Sequence, residues 1–386
     1  MKIAPFSIEE FFALYEFTTP YLLCSSDCES MTVGELLAMA AVDMAELAEL
    51  HLGYTESQGH PALRSQIAAL YPGVVADEVV VLTAPEEGIY TAMRTLLAPG
   101  DQVVVLTPAY DSLLNLAQHI VGSENVANWE IAVENGRWHL NLSQLENLVT
   151  DKTQLIVVNF PHNPTGFLPT PDEFQTLIEI ARKHGVWLFC DEMYRGLEGN
   201  GYFGKLSTKR SPLPAAVTQY ERAVSLSGLS KTHGLPGLRS GWLIVKDKNV
   251  RQQLMNWKFY TTICPPAPSE FLAMAALQAH DKLIARNRQI IEDNLQIAEP
   301  FFERWSQLFA WKRPLAGSVA LVGLHVPSAT AYCHTLAKEA GVLLLPSSCF
   351  GYGDKHVRMG FGRRNFGEGL AHFEQTLHEA PHFSHL

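Results

Sequence analysis

Three polar groups stand at the ends of three apolar runs. The run QLIVVNF leads into PHNPTG and leaves Asn163 in a tight turn. The run VWLFC ends on Asp191, with Glu192 and Tyr194 just beyond. The run AVSLS ends shortly before Lys231, inside SLSGLSKTHGLPGLRSGW. That stretch holds one lysine and, eight positions on, one arginine, Arg239, among four serines and four glycines. Surface lysines sit among other charges; one alone among small residues has room to move and backbone close by. In open α/β sheets, ligands bind outside the carboxyl ends of the strands, so the three groups converge on one edge. Each taken singly is a turn or cap residue; the convergence is what points to chemistry. Asp191 carries most information. It ends a strand that is apolar from Val186 to Cys190, and a carboxylate so placed needs a cationic or donating partner. An internal arginine or lysine would serve, and so would a protonated ring nitrogen on a cofactor.

Phosphate sites have their own signals. TAPEEGIYTAMRTLLAPGD follows VVVL and opens a helix. Pro85 suits the first helical position, and the N–H groups of Glu86 and Glu87 lie at the positive helix end, where anions bind. Every helix that follows a strand has this property, so it selects no site by itself. Gly199–Gly204 (GNGYFG) matches the G-x-G-x-x-G dinucleotide pattern. That mechanism needs a strand directly before and a helix directly after. Here the strand ends several residues earlier and KLSTKRSPLP follows, so the segment reads as a loop. A nicotinamide dehydrogenase, which would rest on it, is set aside.

The elements behind these residues are legible. From about Gly59 to Val245, the runs VVVL, QVVVL, QLIVVNF, VWLFCDE, RAVSLS and WLIV alternate with segments of helical period. Such alternation predicts crossover units and a mainly parallel sheet covered by helices, an α/β fold. In TPDEFQTLIEIARKHG, Thr170 can cap, Pro171 fits the first turn, Asp172 and Glu173 face the positive end, and Gly185 can end the helix. Beyond Pro268 a long helical pattern runs to about Trp305, of the kind that links domains. Shorter strands (SVALVGL, GVLLL, HVRMGF) and a last amphipathic helix follow. The prediction is a large α/β domain over 45–285 and a smaller α+β domain built from 1–44 and 286–386.

Bulk properties narrow the classes. A chain of 386 residues exceeds what one core normally organises, which agrees with two domains. Hydrophobic residues make up 47% and charged residues 18%, an ordinary globular balance. The formal net charge of −11 argues against nucleic acid and anionic membranes as partners. It also disfavours a regulator, which would carry a DNA-binding extension. No apolar run reaches the length of a membrane span. MKIAPFSIEEFF has no apolar signal region, which predicts a cytoplasmic protein. The six cysteines are scattered, only Cys24 and Cys28 lie close, and no histidine pair completes a metal pattern beside them. They read as free thiols in a reducing compartment, and no metal is expected. His233 reads as a packed histidine, and His372, His378, His382 and His385 as a solvated tail.

The motif set resembles the fold-type-I pyridoxal-phosphate enzymes, in the aspartate-aminotransferase-like class I/II branch. HNPTG, Asp191 with Tyr194, SK followed by GLR, and the late VRMGFG occur in that family's order and near its spacing, across nearly the whole chain. The resemblance implies a large domain with a seven-stranded-type sheet, pyridoxal 5′-phosphate as cofactor, and a homodimer with shared active sites. It implies that Lys231 forms the Schiff base and later moves the proton between substrate Cα and the cofactor. Asp191 would keep the pyridine nitrogen protonated, and Asn163 and Tyr194 would donate to the phenolic oxygen. Tyr110, in TPAY, would stack on the ring. Arg239 would pair with the phosphate, and Tyr54 would reach the neighbouring subunit's phosphate. Arg358 would grip the substrate α-carboxylate, with Asn163 beside it. A lysine amine must be partly deprotonated to attack a carbonyl, and arginine's planar fork fits carboxylate or phosphate.

Two positions depart from the family pattern. Gly228 stands where many relatives carry serine or threonine, which leaves Ser230 as the best hydroxyl and Ser227 as second choice. Ala84-Pro85 stands where many have Gly-Ala, so Glu86 and Glu87 would supply the backbone donors. The implied reaction is transfer of an amino group from an L-amino acid to a 2-oxo acid. The competing outcomes on the same fold are β-elimination at a carbon–sulfur bond and an oxidase or cyclase acting on arginine-like substrates. Specificity would rest on Tyr21 to Cys28, on Gly317-Ser318 and on partner-chain loops.

Overall fold

The computed structural model describes residues 3–134, 136–198 and 213–383. The Gly199–Gly204 segment and His385 lie outside them. The centre is a seven-stranded sheet in the order Val79–Leu82, Gly241–Val245, Ala223–Gly228, Trp187–Asp191, Thr153–Asn159, Gln102–Thr107, Val126–Glu130. Six strands run parallel and Gly241–Val245 runs against both its neighbours. The α/β expectation is met. These strands are nearly continuous apolar runs because both faces are covered. Val80 and Leu82 point into one cluster with Ile89, Leu113, Leu116 and Leu254. Val79 and Val81 point the other way, into a cluster with Leu63, Ile67, Trp242 and Leu272.

The helix Pro171–His184 forms where its signals predict. The Thr170 hydroxyl accepts the Glu173 N–H at 3.2 Å, the Glu173 carboxylate accepts the Thr170 N–H at 2.7 Å, and Gly185 closes it with φ of 66°. Such a reciprocal cap is worth roughly 1 kcal/mol. The helical pattern beyond Pro268 is two helices, Ala267–Gln278 and His280–Arg304, separated at Ala279. The second begins in the large-sheet packing at Leu283 and ends in the C-terminal core at Leu295, Phe301 and Phe302.

That second core covers a four-stranded antiparallel sheet in the order Phe309–Ala310, Val319–Leu324, His356–Gly360, Leu345–Pro346. The N-terminal residues Ile8, Phe11 and Leu23 join it. The strand of the N-terminal arm is Tyr21–Leu22, paired parallel with Val342–Leu343. Leu36, Leu37 and Ala40 pack instead with Leu272 and Ala276, on the large sheet's side.

Candidate active site

The carboxyl ends of the central strands build one cavity of about 360 Å³. Parallel register sets Asn159 beside Asp191. Asn159 Nδ2 donates to the Asp191 carbonyl at 2.9 Å, and the Asn163 N–H donates to Asn159 Oδ1 at 2.7 Å. Asn159 therefore ties the PHNPTG turn to the end of the neighbouring strand. The Asp191 carboxyl accepts the Met193 N–H at 3.0 Å and makes no ion pair among the described residues. Burial pushes its pKa up to about 7, against the pull of that N–H and of Lys231. Glu192 points elsewhere: it is buried against Arg195, the Ala216 N–H and Ser225, and is structural.

Lys231 Nζ faces Asp191 across the cavity and donates to Ser26 Oγ at 2.8 Å. Burial lowers its pKa; Asp27 opposes this, Arg358 reinforces it, and Glu9 and Asp191 oppose it. Tyr110, Asn163, Tyr194, Ser230, Glu86 and Arg239 line the same space. Tyr110 precedes the helix Asp111–Val121 and meets Phe6 edge-on, with centroids 5.3 Å apart. The Tyr194 and Ser230 hydroxyls are buried and line the cavity; among the described residues Ser230 Oγ has no hydrogen-bond partner, and the Tyr194 hydroxyl meets only Ser26. Buried polar atoms without partners cost free energy, so Ser230 Oγ marks where a ligand's polar atom belongs. Arg239 is exposed, in a left-handed turn with φ of 49°. Glu86 enters the cavity beside Ser112, and burial pushes its carboxyl up to about 7.

Two expected site residues, Glu87 and Tyr54, lie elsewhere, and a third, Arg358, stands just behind the cavity wall. Glu87 turns away from the cavity. Its N–H already donates to the Ala84 carbonyl at 3.1 Å, and its carboxylate accepts the Thr83 N–H at 2.9 Å and meets Lys258, Thr261 and Thr262. Pro85 at the helix start tightens this first turn, which leaves Glu86 with the available N–H. Arg358 is buried behind the cavity and touches it through Asn163 Oδ1 at 3.2 Å; it also donates to the Cys24 carbonyl. Tyr54 is 94% exposed and lines a separate depression with Thr83, Thr262 and Cys264.

The two departures from the family pattern are a single exchange of volume. A Cβ at Gly228 would lie 2.9 Å from Pro85 Cγ and 2.9 Å from the Ser240 carbonyl oxygen. A Cβ at Gly241 would lie 2.8 Å from Pro85 Cγ. The proline ring fills a notch that two glycines leave open, so a hydroxyl-bearing residue at position 228 has no room. Sequence reasoning singles out neither Asn159 nor Glu9 and reaches Ser26 only as part of the Tyr21 to Cys28 span; all three line the cavity. Asn159 carried a signal, as a polar residue closing an apolar run. His233 is packed against His280 at 3.0 Å. Among the described residues, no cluster fit to hold a metal and no helix long and apolar enough to cross a membrane is found.

These features define an α/β enzyme whose half-buried lysine faces a buried carboxyl without an ion pair among the described residues, beside two buried hydroxyls. The donor set fits pyridoxal phosphate: a carboxyl for a ring nitrogen, hydroxyls for ring and phosphate oxygens, an amine for the aldehyde. The sequence matches aminotransferase class I and II over residues 21–366, and the chain belongs to that family of pyridoxal-phosphate enzymes. A capreomycidine synthase from Streptomyces vinaceus is 30% identical over 360 residues, 92% of this chain and 89% of that protein. The crystal structure of a PLP-dependent aminotransferase from Streptococcus suis covers 98% of both chains at 29% identity, with a TM-score of 0.89. The PLP-dependent cyclase OrfR covers 98% of both chains at 27% identity, with a TM-score of 0.84.

Proposed function

We propose that the chain moves an amino group from an L-amino acid to a 2-oxo acid, with Lys231 as covalent anchor and proton carrier. The observation that carries this reading is Lys231 Nζ in one cavity with the buried Asp191 carboxyl, which makes no ion pair among the described residues. Pyridoxal phosphate, when bound, supplies a ring that accepts the electrons left on Cα. Burial lowers the Lys231 pKa, which favours the uncharged amine that attack on a carbonyl and proton pick-up require. Asp191 would hold the protonated ring nitrogen; a cation there offsets the burial that raises its pKa. Tyr194 and Asn163 would donate to the ring oxygen, and Tyr110 would cover the ring face. Ser230, Arg239 and the Glu86 N–H would hold the phosphate, with Glu87 outside the set. Arg358, aligned by the Cys24 carbonyl and Asn163, would take the substrate α-carboxylate.

The exposed Tyr54 supports a homodimer in which it completes the partner's site. Two domains are the reading we favour: the seven-stranded sheet with Val33–Ala40 packed on its side, and the four-stranded sheet with Ile8, Phe11 and Leu23. The free cysteines Cys24, Cys28, Cys190, Cys264, Cys333 and Cys349 fit a reducing, cytoplasmic setting. The test is optical. Purified protein with pyridoxal phosphate should carry an absorbance band near the visible edge that Lys231→Ala removes. Amino-acid pools should bleach that band, and a 2-oxo acid should restore it. A protein that no amino acid bleaches is not an aminotransferase.

A second reading is an arginine-directed cyclase or oxidase. It draws on the capreomycidine synthase and cyclase relatives. It also draws on Glu9, a carboxylate in the cavity wall that makes no ion pair among the described residues. Such a wall suits a cationic side chain. Release of ammonia or peroxide with no 2-oxo acid present would favour this reading over transamination.

A further inference from the structure

We infer that Ser26 is the positioning residue of the Lys231 amine: its hydroxyl holds Nζ whenever the lysine is free and sets the pH at which that amine gives up its proton. The inference rests on the role proposed for Lys231. Nζ donates to Ser26 Oγ at 2.8 Å, and no other side chain hydrogen-bonds Nζ among the described residues. Two neighbouring groups do not take this place. The Tyr194 hydroxyl faces Ser26 rather than Nζ, and the Asp191 carboxyl accepts from the Met193 N–H.

Ser26 can act this way because its segment is fixed from several sides. Ser318 Oγ donates to the Ser26 carbonyl at 2.6 Å. Arg358 donates to the Cys24 carbonyl at 2.9 Å, and Arg363 grips the Asp27 carboxylate at 2.8 and 2.9 Å. The backbone is pressed onto glycines: a Cβ at Gly360 would lie 1.8 Å from the Ser25 carbonyl oxygen, and one at Gly362 would lie 2.3 Å from that of Asp27. Gly360 ends a strand of the four-stranded sheet, whereas Lys231 follows a strand of the seven-stranded sheet. The lysine thus hangs from one sheet and is steadied from the other.

The hydroxyl serves both protonation states. An ammonium only donates, and the serine oxygen accepts; a neutral amine has a lone pair to which the rotated hydroxyl donates. The bond to the charged form is the stronger of the two, so Ser26 holds the Lys231 pKa above the value burial alone would give. The other titratable and charged groups facing Nζ, among the described residues, are Glu9 and Glu16 from the N-terminal helix and its end, Asp27 and Cys28 from the arm, Asp191 and Tyr194 at and just beyond the strand end, and Arg358 from the small sheet. Asp27 is already engaged by Arg363.

The test reads the amine without cofactor. Trace labelling with acetic anhydride from about pH 6 to about pH 10, followed by mass spectrometry at Lys231, gives the titration midpoint. Ser26→Ala should shift that midpoint down by roughly one pH unit, about a tenfold change in proton affinity. Ser26→Thr should keep it. Ser26→Cys, close in size with a weaker acceptor, should shift it the same way and serves if the alanine variant does not fold. In the loaded enzyme, Ser26→Ala should lower kcat more than it raises KM. A midpoint unmoved in both the Ala and Cys variants, or a kcat/KM loss carried wholly by KM, overturns the assignment. Loss of the cofactor band's dependence on Lys231 would instead overturn the role of the lysine, and the labelling midpoint is read independently of it.

Discussion

Asp191, buried, and Glu86, half-buried, are two carboxyls in one cavity, each pushed up to about 7 by desolvation. In the unfolded chain both titrate as ordinary carboxylates. Between those values and about pH 7 the folded protein holds protons that the unfolded chain has released. Stability of the cofactor-free protein therefore falls as pH rises through this window and levels off above it. The Glu86 share is on the order of 2 to 3 kcal/mol. Urea unfolding at about pH 5 and about pH 8 should show this fall, and Glu86→Gln should remove a good part of it. An identical fall in the variant would contradict the assignment. Volume offers a second prediction at this scale. Gly228→Ser should destabilise by about 1 to 3 kcal/mol, since its Cβ would crowd Pro85 and the Ser240 carbonyl. Pro85→Ala should relieve part of that loss, and a double-mutant cycle should give a coupling near 1 kcal/mol. Additive losses would mean that the notch has another cause. Asp191, Asn163 and Lys231 are legible in the sequence because each closes or follows an apolar run. Ser26 is not, because its contact with Lys231 spans 205 residues and it sits among other small polar residues.

At the level of elements, the helix Pro85–Leu96 is anchored at its first turn by a buried network. Lys258 and the Glu87 side chain are 1% and 6% exposed and lie 3.4 Å apart, with Thr261 and Thr262 closing the group. A buried pair of this kind adds little over an apolar pair, yet removing one member leaves an uncompensated charge. Lys258→Met alone should therefore cost roughly 3 kcal/mol or more, and Lys258→Met with Glu87→Gln should recover most of it. Urea midpoints for the set check this; equal losses in the single and double variants would show that the charge is not the cause. This network explains why Glu87 could not be placed from sequence. Its partners come from a helix end far along the chain, and pattern alone assigns an acidic residue near a helix start to the dipole. The parallel sheet is legible, because alternating apolar runs and helical segments leave few other layers. The reversed strand Gly241–Val245 is not, since an apolar run looks the same in either direction. The arm strand Tyr21–Leu22 is too short to carry a period.

For the molecule as a whole, the question is where Tyr54 works. It is 94% exposed, and Leu52, Tyr260 and Ile263 nearby in the chain's fold are 77%, 90% and 50% exposed. The depression that Tyr54 lines is walled by Cys264, Pro265 and Pro266 and is separate from the Lys231 cavity. A tyrosine that served its own subunit would have to enter that cavity, and it does not. A second copy related by twofold symmetry would present its own Tyr54 reciprocally, so that each site draws on both chains. Subunit mixing separates these arrangements. Lys231→Ala and Tyr54→Phe homodimers should each have low activity. Unfolded together and refolded in equal amounts, they form hybrids in which one site joins the intact Lys231 of one chain to the intact Tyr54 of the other. The mixture should then regain about a quarter of the native activity per chain. If Tyr54 acts within its own subunit or not at all, mixing yields no more than the average of the two variants. Sedimentation of the native protein as a fully active monomer would have the same force, because a shared site cannot exist in one chain.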